Sequence, residues 1–306
     1  MGFEAAVWGA RQWRAAQAAH EARVDALTAG HRARRERGQA HPVEDFLWVY
    51  YPYRPARLRR WHPGPHIVLE DAVLPDAAPE GGEESTGDDR ATWRHYTRDE
   101  AAGGTRLDLD AFRRDRGDLV CHVAALLDAT AARPASYACL GLHEWAMLYR
   151  LRPDDRRHES LPLRLPQRRI DAVVEESAIR CSHFDAFRFF TPDARPLNAL
   201  QPTREGTVAQ EQPGCLHATM DLYRWAMALA PGIPSELTVD ALELAFAARE
   251  LDMRASPYDV REFGLDPVPV ETPQGRAQYV EIQRGIVGRG DVMRRRLRAA
   301  VARLAP

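Results

Sequence analysis

What most limits the fold of this chain is a series of long segments in which apolar side chains return every three or four positions, with no βαβ alternation between them. The pattern predicts helices over 108–131, 135–150, 214–230, 238–252 and 274–304. Another is expected over 3–38, with Ala6, Trp13, Ala16, Val24 and Leu27 near one face. Pro134 stands near the start of the second segment, and Pro231-Gly232 stops the third. Residues 66–98 read as a short strand, a Gly/Glu/Asp-rich acidic loop and a second strand, with 75–92 as a flexible flap. Residues 161–190 are mixed, with a strand or bent segment expected at Ile179–Phe190. The expected fold class is mainly α with a small β element (α+β). One compact, mostly helical catalytic domain would span 41–306, preceded by an N-terminal helical arm over 1–40.

Every one of the 42 basic side chains is arginine. Without an ε-amine the chain can build no lysine Schiff base, no pyridoxal-phosphate site and no lysine-type phosphate loop. Arginine instead supplies a permanently charged, planar fork suited to phosphates, carboxylates and base edges. The net charge of −2 does not itself suggest a nucleic-acid binder, but residues 71–120 hold 13 acidic against 7 basic side chains. The remainder is therefore net positive, which leaves room for a basic face. No run approaches the roughly 18 apolar residues of a membrane span, and the N-terminus lacks the pattern of a secretory signal. The expectation is a cytoplasmic protein with no membrane partner and no obligate protein partner. Cys121, Cys139, Cys181 and Cys215 form no Cys-x-x-Cys pair and read as reduced thiols.

Four segments set chemistry-bearing residues in apolar surroundings. In Gly141–Met147, expected inside a helix, His143 and a buried Glu144 raised in pKa would serve as acid or base, unless Glu144 pairs with an arginine. In Arg180–Phe190, an extended backbone would put His183 and Asp185 on one face and Phe184 on the other. In Gly214–Asp221, a helix puts His217 and Asp221 on one face at i, i+4. In Leu251–Asp259, Asp252 and Arg254 form either an ion pair or part of a functional loop. Asn198, Gln201 and Arg204 could reach a base edge or phosphate. A further stretch interleaves Phe46, Trp48, Tyr50, Tyr51, Tyr53 and Trp61 with Arg54, Arg57, Arg59 and Arg60. That composition suits base stacking beside phosphate contacts.

Together these segments make the chain resemble a bacterial, largely actinobacterial, family known as 3-methyladenine DNA glycosylases. The resemblance rests on His41–Leu47, Tyr50-Tyr51 to Arg54-Pro55, Leu58–Gly64, His143–Met147, Arg180–Pro192, Glu211–Asp221 and Leu251–Asp259. It covers most of the chain outside 75–92. It implies a DNA N-glycosylase acting on double-stranded DNA with modified bases, without a cofactor. The chain lacks the Gly-Val-Gly hairpin and following Asp of helix-hairpin-helix glycosylases, so no catalytic residue is carried over.

Excising a base builds positive charge on the sugar and requires the nucleotide to leave the stack. For that chemistry Asp185 is the expected carboxylate, with His183 and Glu144 as acid/base or orienting groups. His143, His217, Asp221, Asp252 and Arg254 would support them. Arg54, Arg57, Arg59, Arg60, Asn198 and Arg204 would hold DNA, while Tyr50, Tyr51, Trp61 and Phe184 would stack on bases. The absence of lysine predicts a monofunctional enzyme that leaves an abasic site. The base would be an alkylated purine, in repair, or a bulky modified pyrimidine such as glucosylated hydroxymethylcytosine of phage DNA, in antiviral defence. Two alternatives stay open: a metal-dependent enzyme acting on a small molecule through the His/Asp/Glu residues, and a non-enzymatic nucleic-acid-binding protein. No recognised metal-ligand spacing supports the first.

Overall fold

The structure is a computed structural model and describes residues 5–70, 90–152 and 160–305. It is mainly helical with one small sheet, the α+β class read from the sequence. Strand β1 (Ala6–Trp8) precedes α1 (Ala10–Glu36), so the first predicted helix begins later than its pattern suggested. Short helices α2 (Phe46–Tyr50) and α3 (Pro55–Arg59) lead to β2 (Ile67–Glu70), β3 (Tyr96–Asp99) and β4 (Gly104–Leu107). The sheet order is β1-β2-β4-β3, parallel only between β1 and β2. The acidic loop expected at 75–92 lies outside the described residues except for a 3-10 turn at Arg90–Thr92.

Helix α4 (Leu109–Ala131) starts where the Asp108 side chain accepts the Ala111 amide at 2.9 Å, satisfying one of the donors a helix start leaves open. Instead of a helix over 135–150 there is a single turn, α5 (Leu142–Ala146). It is entered through Gly141, whose φ of +71° a side chain would strain. Then come α6 (Gln167–Glu175), α7 (Phe184–Phe187), α8 (Thr207–Gln210), α9 (Leu216–Ala228), α10 (Ser235–Ala255) and α11 (Pro273–Ala302). The expected strand or bend at Ile179–Phe190 is an extended stretch ending in α7, with Ile179 bridged to Asn198.

Helices α9 and α10 pack along each other in the centre, flanked by α11, while α4 lies against α11. Most of α9 is buried, which forces its polar residues, His217, Thr219 and Asp221, into the interior with its apolar ones. Helix α1 contacts α3 and α10, burying Trp13, His20, Val24 and Thr28. A satellite core of Trp13, Trp61 and Leu69 joins α1 to the sheet. There the Arg90 guanidinium lies 4.8–5.4 Å from the ring centres of Trp13, Trp61 and Trp93.

Candidate active site

A chain of buried ionisable groups crosses the core where α5, α7, α9 and α10 meet. Its inner end holds Arg249, which donates to Glu144 at 2.7 Å and to Asp252 at 2.9 Å. Asp252 accepts a 2.6 Å hydrogen bond from Nε2 of His143, whose Nδ1 lies 3.4 Å from Cys139 Sγ. The His217 ring meets His143 edge-on, with centres 4.6 Å apart, and stacks against His183 at 5.2 Å. Nε2 of His183 then lies 3.3 Å from Asp221 and 3.5 Å from Glu211.

The outer end opens into a cavity of about 130 Å³, lined by His122, His183, Phe184, Asp185, Arg204, Thr207, Glu211, Asp221, Arg224 and Trp225. The Arg204 guanidinium lies 5.2 Å from the ring centre of Phe184, and that of Arg224 lies 4.6 Å from Trp225. The mouth is thus both aromatic and cationic.

The local sequence explains how these groups are held. Asn198 clamps the extended stretch before His183: its Oδ1 accepts the Cys181 amide at 2.8 Å and its Nδ2 donates to the Cys181 carbonyl at 2.9 Å. His183 then stands at the start of α7 with extended backbone angles, which turns its ring inward. Glu211 follows α8, where its carbonyl accepts from Arg133 at 2.8 Å. Gly214, three residues on, is fixed by close approach: a Cβ there would lie 2.4 Å from the Ser136 carbonyl oxygen. Gln283 donates to the Gly214 carbonyl at 2.8 Å, pinning the loop to α11.

The two carboxyls beside His183 have opposite character. Burial pushes Glu211 up to about 7, against the pull of His183 and with Asp221 adding to the rise. Burial would also raise Asp221, but His183, Arg224 and the Tyr51 hydroxyl hold it below the ordinary carboxylate value. Tyr51 makes that contact by donating to Asp221 Oδ1 at 2.6 Å. Deeper in, burial opposes charge on His143, yet Asp252 and Cys139 outweigh it and lift the imidazole well above its usual value. His217 goes the other way, driven well down by burial and by His143, and is neutral.

The structure brings together His143, Glu144, His183, Asp185, His217, Asp221 and Asp252 in this network, with Phe184 and Arg204 at its mouth. It changes several expected roles. Both oxygens of Asp185 are held by guanidinium groups, Arg188 at 3.0 Å and Arg224 at 2.8 Å, because α7 is helical and puts Arg188 at i+3. Glu144 is tied to Arg249, and Tyr51 is a buried hydrogen-bond donor to Asp221 instead of a stacking platform. Asn198 serves the backbone clamp, and Trp61 is buried with its Nε1 donating to Glu236 at 2.7 Å. Tyr50 stacks on Phe46 at 5.0 Å, beside a different groove.

The arginine stretch is largely engaged within the fold. Arg57 donates to the Met227 carbonyl, Arg59 pairs with Glu21 and Asp25, and Arg60 lies over Trp93. Arg54 is an exposed residue at the start of α3. Arg254 pairs with Glu250 and donates to the Asp266 carbonyl, away from the network. Sequence reasoning missed Glu211, Arg224, Trp225 and His122. Of these, only Arg224 carried a signal, at i+3 from Asp221 on the same helix.

Two triads have ligand atoms within 4.8 Å of one another and could hold a metal ion: His143, His217 and Asp252, and His183, Glu211 and Asp221. No family model, curated protein or solved structure matches this chain. Among the described residues no helix is long and apolar enough to cross a membrane.

Proposed function

We propose that the cavity beside His183 is the active site of a monofunctional DNA glycosylase, an enzyme that cleaves the bond between a modified base and its deoxyribose. The observation that carries this reading is the carboxyl pair: Glu211, with a pKa of about 7, and ionised Asp221, facing one cavity with aromatic and arginine walls. Titratable neighbours whose surroundings drive them apart divide the acid and base roles between them. Their ligand oxygens lie within 4.8 Å. That is closer than the roughly 6.5–9.5 Å carboxyl separation that leaves room for an intervening water in inverting sugar hydrolysis. In this reading no water needs to stand between the two carboxyls, and Asp221 is the group assigned to the developing sugar cation.

In this reading an extruded nucleotide places its base in the cavity and its phosphates against Arg204 and Arg224. The bond from C1′ to the base nitrogen breaks, and its electron pair stays on the base, which takes the Glu211 proton. Asp221 stabilises the cation left on the sugar. Water then attacks C1′ and returns a proton to Glu211, so the products are the free base and an abasic site. The chain has no lysine to open that site by β-elimination. Arg188 and Arg224 neutralise Asp185, which makes it a positioning residue for Arg224.

The cavity volume bears on the substrate. An engineered cavity of about 150 Å³ admits one benzene, so about 130 Å³ encloses a single ring. The reacting ring fits inside, while a second ring or a glucosyl substituent must remain at the mouth.

The test is incubation with duplexes carrying alkylated purines and, separately, glucosylated hydroxymethylcytosine, with mass spectrometry of the freed bases. Release should leave strands that break only in alkali, and Glu211→Gln or Asp221→Asn should slow it by about 10²–10⁴-fold. Failure to free a base from either DNA, or breakage without alkali, overturns the proposal.

A further inference from the structure

The proposed chemistry uses the outer half of the buried network and leaves the inner half without a task. In that inner half Arg249, Glu144, Asp252 and His143 are hydrogen-bonded to one another. The residue this closed set does not use is His217. It is 5 % exposed, it touches the two other imidazoles, and among the described residues no hydrogen bond reaches its ring. An imidazole packed in this way without a hydrogen bond has ring nitrogens that no protein group uses.

We infer that His143, His217 and Asp252 bind a divalent transition-metal ion, in a site separate from the carboxyl pair of the cavity. The three side chains come from α5, α9 and α10, are 0–5 % exposed, and place one ligand atom each within 4.8 Å of the others. The outer atoms of two of the three have partners, as those of metal ligands usually do. Arg249 fixes the second oxygen of Asp252, and Cys139 Sγ faces the second nitrogen of His143. In the metal-free chain a proton bridges the His143–Asp252 pair at 2.6 Å; a tetrahedral ion in its place would part the two atoms by about 0.7 Å. Two imidazoles and one carboxylate select zinc, iron(II), cobalt or nickel over magnesium or calcium. His217 stacks on His183, so the ion would lie one imidazole behind the cavity wall.

The test measures metal in the full-length chain, not activity. After dialysis against metal-free buffer, elemental analysis should find about one equivalent of zinc or iron per chain, or the metal-free protein should bind one equivalent of added Zn²⁺ or Fe²⁺. His217→Ala, which removes a ligand without breaking a hydrogen bond, should weaken binding by on the order of a hundredfold or more. Cys139→Ser, behind His143, should cost about tenfold. Glu211→Gln and Asp221→Asn should bind as the natural chain does, and circular dichroism checks that each variant is folded.

If His217→Ala does not fold, the cobalt(II) form of the natural chain decides instead. Visible ligand-field bands without a sulfur charge-transfer band support nitrogen and oxygen ligation. A sulfur band, or no bands, overturns the inference. So does a natural chain that neither carries nor binds the metal, a folded His217→Ala that retains it, or a loss that follows Glu211→Gln instead.

Discussion

Replacing Glu211 by glutamine keeps the side chain's shape and removes its proton chemistry, so it asks directly how this carboxyl behaves in the folded chain. Burial pushes Glu211 from an ordinary value of 4.5 up to about 7. Between those values the folded protein keeps a proton that the unfolded chain has released, so stability falls as pH rises through this window. The contribution is full below 4.5 and gone above about 7. A separation of about 2.5 pH units at about 1.4 kcal/mol per unit amounts to about 3 kcal/mol. Glutamine has no proton to lose and escapes this decline. Urea denaturation of both proteins at stepped pH should therefore show their stability difference moving by about 3 kcal/mol in favour of Glu211→Gln, between about pH 4 and about pH 8. Titrating groups that do not face Glu211 are common to both chains and cancel, while His183, which Glu211 raises, is followed separately by its imidazole resonances. Two parallel stability curves would refute the reasoning, because Glu211 would then ionise alike in both states and could not hold a proton near neutrality for a leaving base.

Three further outcomes follow from the network. Arg249→Met strands two buried carboxylates, Glu144 and Asp252, and should cost about 3–5 kcal/mol in chemical denaturation. Arg204→Ala should weaken duplex binding and lower the slope of log affinity against log salt by about one, read by fluorescence anisotropy, if that guanidinium meets a phosphate. Tyr51→Phe removes a hydrogen bond that helps hold Asp221 below the usual carboxylate range. Its pH–rate profile should keep its basic limb and move its acidic limb upward.

The long helices were legible because their apolar period runs for many turns; α4, α9, α10 and α11 all lie close to where that period put them. The short pieces were not. Phe184-Asp185-Ala186-Phe187 satisfies strand alternation and a single helical turn equally well, and only the clamp from Asn198, distant in sequence, fixes where the extended stretch stops. The aromatic-arginine stretch had the composition of a nucleic-acid platform, yet Trp61 and Arg59 find their partners on α10 and α1, contacts no local pattern contains. His183, His217, Asp221 and Asp252 stood out as polar residues inside apolar runs. Glu211 could not, since it lies in Gln210-Glu211-Gln212, and its burial comes from tertiary stitching by Arg133 and Gln283.

The arginine-only composition bears directly on the poised carboxyl. Guanidinium keeps its proton even when buried, so it favours the ionised form of a carboxylate bonded to it. In this network Glu144 and Asp252 share Arg249, Asp185 is held between Arg188 and Arg224, and Asp221 has Arg224 within 3.4 Å. Glu211 is the member whose carboxyl has, among the described residues, an imidazole in place of a guanidinium as its ion-pair partner. Burial outweighs the pull of His183, and Glu211 is pushed up to about 7. Moving a guanidinium into contact with Glu211 would favour its ionised form and lower its pKa from about 7. The division between the two carboxyls of the cavity therefore lies in their partners: His183, Arg224 and the Tyr51 hydroxyl hold Asp221 down, while burial governs Glu211.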